Sequence, residues 1–65
     1  MELTINGTTR QIDEGTTIAA LVLAQAATTE GVAVAVDGEI VHRASWDGVL
    51  TGGQVVELIT AMQGG

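Results

Sequence analysis

Apolar and polar residues alternate through Met1-Glu2-Leu3-Thr4-Ile5, the period-two pattern of a strand with one buried face. Asn6-Gly7 follows, a pair that favours a tight hairpin because both central turn positions need positive φ. A second strand is therefore predicted over residues 8–12, ended by Asp13-Glu14-Gly15. Thr16 or Thr17 then offers a hydroxyl to the free amides of a helix start. Ile18, Leu21, Val22 and Gln25 fall at i, i+3, i+4 and i+7, which predicts a helix over residues 17–27 with that set on one face. Thr28-Thr29-Glu30-Gly31 interrupts the pattern, and Gly31 suits the turn into a strand.

The most regular strand comes next. Val32, Val34 and Val36 point to one side as a bulky core face, and Ala33 and Ala35 point to the other, where they admit close approach. Asp37-Gly38 is a second turn signal, and Glu39-Ile40-Val41 resumes extended structure. Residues 42–48 read as an irregular segment around Trp46. After the turn at Thr51-Gly52-Gly53, a last strand is predicted over residues 54–61. Val56, Leu58 and Thr60 share one face of it, and Glu57 and Ile59 share the other.

The order is strand, strand, helix, strand, short strand, strand, so that two hairpin arms flank one helix. The first and last strands are free to pair side by side at the centre. That is the order of a β-grasp, the ubiquitin-like α+β fold: a mixed sheet with one helix packed across it. The domain is expected over residues 1–61, with residues 62–65 as a flexible C-terminal tail.

Composition narrows the picture. With 65 residues, 46% of them hydrophobic, one Trp and no Phe, Tyr or Cys, the chain must rest on a compact aliphatic core without disulfides or thiolate metal sites. Eight acidic residues against Arg10 and Arg43 give a formal net charge of -6. This excludes the Lys and Arg clusters that hold phosphate backbones, so nucleic acid is not an expected partner. The acidity fits both solubility and steering towards a basic protein surface. No lysine is present, so the chain offers no side-chain amine to branched conjugates. It has no signal-peptide pattern and no apolar run near the ~20 residues of a membrane span, so a cytoplasmic protein is expected.

No self-contained active site is apparent. A Cys nucleophile is missing, His42 is the single histidine, and Ser45 three residues away lacks the third orienting group of a triad. No glycine-rich phosphate loop precedes a helix. Asp13 with Glu14, and Asp37 with Glu39, are paired carboxylates at turns, which are weak cation sites and ordinary solvated turn residues. Trp46 reads either as a lid over one end of the aliphatic core or as a partner contact. Ile59, beside the charge of Glu57, reads either as a partner contact or as a scattered surface residue. His42 reads as a surface residue.

The remaining candidate is the stretch Thr60-Ala61-Met62-Gln63-Gly64-Gly65. Glycine has no Cβ, so this segment can thread a narrow channel with its carboxylate open to attack. A carboxylate carbon is a poor electrophile, but as an acyl-adenylate it accepts sulfur or amine nucleophiles. The chain has no ATP site, so a separate activating enzyme would supply ATP and magnesium. Met62 could dock in an apolar groove of such a partner.

Gly31 through Val41, then Arg43 and Trp46, then Val55-Val56-Glu57-Leu58-Ile59-Thr60-Ala61 and the final Gly64-Gly65 resemble the ThiS family, the small sulfur carriers of thiamine biosynthesis. The resemblance runs through nearly the whole chain and includes Asn6-Gly7 and Gly15-Thr16-Thr17. It implies a β-grasp protein that is not itself an enzyme and binds no cofactor or metal of its own. Its terminal carboxylate, here on Gly65 with Gly64 as slender neighbour, would be adenylated by a ThiF-type enzyme and converted to a thiocarboxylate with the help of a sulfur-donating enzyme. Sulfur would then pass to a ThiG-type thiazole synthase, from a monomer that forms transient complexes. The chain departs from the family where His42 stands in place of a usual Pro. It departs again where Thr51-Gly52-Gly53-Gln54 replaces an acidic-Gly-acidic turn. A molybdopterin-type carrier, a ubiquitin-like conjugation tag and a plain β-grasp interaction module are the other readings.

Overall fold

The structure, a computed structural model, describes residues 1–60. Its elements run β1 (Glu2–Ile5), β2 (Thr8–Gln11), α1 (Ile18–Ala26), β3 (Val32–Val36), β4 (Glu39–Val41), a 3-10 turn (Arg43–Ser45) and β5 (Val55–Thr60). The five strands form one sheet in the order β2-β1-β5-β3-β4. β1 pairs antiparallel with β2, β3 pairs antiparallel with β4 and β5, and β1 and β5 run parallel at the centre. This is the mixed β-grasp sheet that the residue pattern predicts.

Both hairpin turns take the mirror-image geometry that suits strand twist. Asn6 and Gly7 have φ of 50° and 82°, and Asp37 and Gly38 have 52° and 85°. Side-chain alternation then fixes the faces. Leu3 and Ile5 of β1, Val34 of β3 and Val56 of β5 are buried and meet Ile18, Leu21 and Val22 of α1. Trp46 and Leu50, from the segment between β4 and β5, complete the core. Gln25, predicted on the same helical face, is exposed, because a buried amide without a partner is costly.

The helix is bounded by its caps. Thr17 accepts the Ala20 N–H on its hydroxyl at 3.1 Å, and Ala27 closes the other end in the left-handed region with φ 63°. The segment predicted as irregular supplies the other acceptors of the helix start. Ile18 N donates to the Gly48 carbonyl at 3.0 Å, and Ala19 N donates to the Trp46 carbonyl at 2.9 Å. The segment thus caps α1 and also fills one end of the core. At the following turn, Thr51 N donates to Gln54 Oε1 at 2.8 Å, so a neutral amide closes it. Ala61, expected as the last strand residue, lies outside the described residues.

Candidate functional site

β5 is the strand from which the expected carrier segment continues. It lies at the middle of the sheet, held by β1 on one side and β3 on the other. Gly64, Gly65 and Met62 lie outside the described residues, so the described part of the site is β5 and the sheet face around it.

The face turned away from α1 can be read from the register. Ala33 lies opposite Ile59, Ala35 opposite both Glu57 and Ile40, and Thr4 beside Val55. Ile59 is 56% exposed and Ile40 61% exposed, while Ala33 and Ala35 contribute only methyl groups between them. The two isoleucines therefore rise on either side of an alanine floor. Val55 extends the apolar area towards β1. Glu57 and Glu2 are the charges on this face. Of the cations among the described residues, Arg10 is aligned with Leu3 on the helix side, and Arg43 sits on the 3-10 turn. An apolar trough with the Glu57 carboxylate beside it complements a partner with apolar and basic groups.

Trp46 is not part of that face. It is 4% exposed, and its indole Nε1–H donates to the Val41 carbonyl at 3.1 Å. Of the two readings of Trp46, burial of the ring in an aliphatic core with its single donor satisfied fits the lid. Arg43 covers its outer side, with the guanidinium carbon 5.3 Å from the ring centroid and Nη2 donating to Thr29 Oγ1 at 2.9 Å. His42 is exposed at the start of the 3-10 turn, and its side chain makes no capping bond there.

A shallow groove of about 310 Å³ lies between α1 and the end of β2, lined by residues that include Gln11, Asp13, Thr16 and Gln25. It has a carboxylate and no cation, which does not suit a triphosphate. No three His, Asp or Glu residues among the described ones group to hold a metal ion.

The ThiS family model matches residues 3–65. The chain belongs to the ThiS family. Two solved structures are similar to this ThiS-family protein over its whole length. One is the crystal structure of a thiamine biosynthesis protein (ThiS) from Geobacter metallireducens, with 33% identity, TM-score 0.82 and full coverage of both chains. The other is the NMR solution structure of a thiamine biosynthesis protein from the same organism, with 32% identity, TM-score 0.81 and coverage of 100% of this chain and 88% of that one. No curated protein sequence matches the chain significantly.

Sequence reasoning missed Leu50, which is 2% exposed, and the side-chain roles of Asn6 and Asp37. Leu50 sits in a loop whose apolar residues have no period to reveal them. Asn6 and Asp37 signalled turns, and their contacts depend on which strand lies next to each turn.

Proposed function

We propose that this ThiS-family protein is a cytoplasmic sulfur carrier of thiamine biosynthesis that is itself a co-substrate and not an enzyme. The observation that carries this reading is the match to the ThiS family through residue 65. In the proposed cycle, an oxygen of the Gly65 carboxylate attacks the α-phosphorus of ATP bound with magnesium on a ThiF-type enzyme, and pyrophosphate leaves. Sulfur at the sulfide level, from a sulfur-donating enzyme, then attacks the acyl carbon of the adenylate. AMP departs with one original carboxylate oxygen, and a thiocarboxylate remains. A ThiG-type thiazole synthase takes that sulfur, water restores the carboxylate, and the protein returns to the pool.

What the chain itself contributes is presentation. Gly64 and Gly65 place no side chain beside the reacting carbon, and Met62 is assigned to an apolar groove of the partner. The trough between Ile40 and Ile59 is assigned as the docking face, and Glu57 is placed to meet a basic group on the activating enzyme. Supported by this arrangement, Ile59 is a contact and not a scattered surface residue.

The test is to append one residue after Gly65 and measure ATP-dependent pyrophosphate release by a ThiF-type enzyme. Loss of release with an unchanged unfolding midpoint is the expected result. Undiminished release would contradict the assignment of Gly65.

A further inference from the structure

The central strand is gripped by the two hairpin turns, one on each side, through side-chain oxygens. On the β1 side the parallel ladder is short. Thr4 N donates to the Gln54 carbonyl at 3.1 Å and Asn6 N to the Val56 carbonyl at 2.9 Å. The next bond of a regular parallel ladder would run from Leu58 N–H to the backbone carbonyl of Asn6. Asn6, however, is the first residue of the turn, with φ 50°, and its backbone has left the strand conformation. Its side chain takes over, and Asn6 Oδ1 accepts the Leu58 N–H at 2.8 Å.

The same substitution occurs on the β3 side. Asp37 N donates to the Val55 carbonyl at 2.7 Å, and in a regular antiparallel pair Val55 N–H would return a bond to the Asp37 carbonyl. Asp37 is also the first residue of a turn, with φ 52°, and Asp37 Oδ1 accepts the Val55 N–H at 2.9 Å. The two grips are not equivalent. Asp37 holds the start of β5, where pairing with β3 continues along the strand. Asn6 holds Leu58, in the outgoing half, past the last residue paired with β1.

We propose that Asn6 is a positioning residue for the carrier reaction: its side-chain carbonyl fixes the outgoing half of β5 and so sets the direction in which the chain leaves the sheet towards the partner's site. The proposal rests on the carrier reading given above. Direction matters because a short lead from a fixed strand must bring one carbon to the α-phosphorus of ATP, and small displacements of a reacting group cost rate steeply. Ile40 on β4 and Val55 at the start of β5 lie away from the half that Asn6 holds, so removal of Asn6 Oδ1 acts on turnover more than on affinity.

Two variants separate the side-chain oxygen from the turn. Asn6→Gly keeps the positive φ without strain and deletes the acceptor, whereas Asn6→Asp keeps an oxygen at that position and tolerates the turn. Pyrophosphate release by a ThiF-type enzyme is measured over a range of concentrations of each variant, below its unfolding midpoint, together with amide hydrogen exchange. The expected result for Asn6→Gly is a kcat lower by roughly tenfold, a KM within about twofold of the parent and faster exchange at Leu58 with unchanged exchange at Val34 and Val56. Asn6→Asp is expected to restore kcat and Leu58 protection. Parental kcat in Asn6→Gly, equal impairment in both variants, or an Asn6→Gly chain that fails to fold would each overturn the proposal; the last would make Asn6 a residue of the whole fold. If the parent itself supports no pyrophosphate release, the carrier reading fails instead, and the exchange data still decide whether Asn6 holds β5.

Discussion

Arg43 lies over the outer side of Trp46, 5.3 Å from the ring centroid, and ties the 3-10 turn to Thr29 beyond the end of α1. The pair closes the core at the end where the segment after β4 wraps the helix. Because Arg43 is exposed, its contribution is the modest one of a solvated cation–π contact. Arg43→Ala should lower stability by about 0.5–1 kcal/mol. The check is thermal unfolding followed by Trp46 fluorescence, with an expected drop of roughly 4–8 °C per kcal/mol in a domain of this size.

Trp46→Phe tests the lid from inside. An aromatic ring is kept, but the Val41 carbonyl loses the indole N–H that it accepts, and the loop that caps Ile18 and Ala19 loses its anchor. A loss of about 1–3 kcal/mol is expected, larger than for Arg43→Ala, because the indole hydrogen bond is lost and the smaller ring leaves part of the core unfilled. Chemical denaturation followed by far-ultraviolet circular dichroism measures it. A variant as stable as the parent would mean that the ring serves something other than the fold.

Ile59→Asp separates docking from folding. Ile59 is 56% exposed and faces Ala33 across the strand pair, so the fold should survive with a loss of about 1–2 kcal/mol, checked by thermal unfolding. Binding to a ThiF-type enzyme, measured by titration calorimetry, should weaken by roughly tenfold or more, since a charge enters the apolar trough beside Glu57. Ile40→Asp on the opposite wall should do the same. Leu23→Asp, on the exposed side of α1, should leave binding unchanged.

Most of this fold can be read from local pattern. The alternation of Leu3 and Ile5, the positive-φ pairs Asn6-Gly7 and Asp37-Gly38, and the spacing of Ile18, Leu21 and Val22 each specify an element and its buried side. The Ala33 and Ala35 alternation likewise anticipates the open face on which Ile59 stands. What the pattern lacks is information about neighbours in space. Trp46 and Leu50 are buried because the segment around them folds over the start of α1, an arrangement fixed by carbonyls at positions 46 and 48 and by no period in the sequence. Ala27 closes the helix with positive φ, where a glycine would be the usual signal. The grips of Asn6 and Asp37 on β5 depend on the parallel pairing of β1 and β5, which joins residues from opposite ends of the chain. Gly64 and Gly65 lie outside the described residues, and their proposed role rests on the resemblance to ThiS and on the chemistry a glycine carboxylate would offer.

The central claim is that Gly65 carries sulfur, and intact mass spectrometry tests it most directly. The protein is incubated with a ThiF-type enzyme, ATP, magnesium and a sulfur donor, and its mass is then measured without reduction. The account predicts a gain equal to the exchange of one oxygen for one sulfur, confined to the C-terminal fragment and absent when ATP is omitted. An unchanged mass under conditions where the enzyme converts an established ThiS substrate, or covalent adducts on other proteins without any thiocarboxylate form, would contradict it.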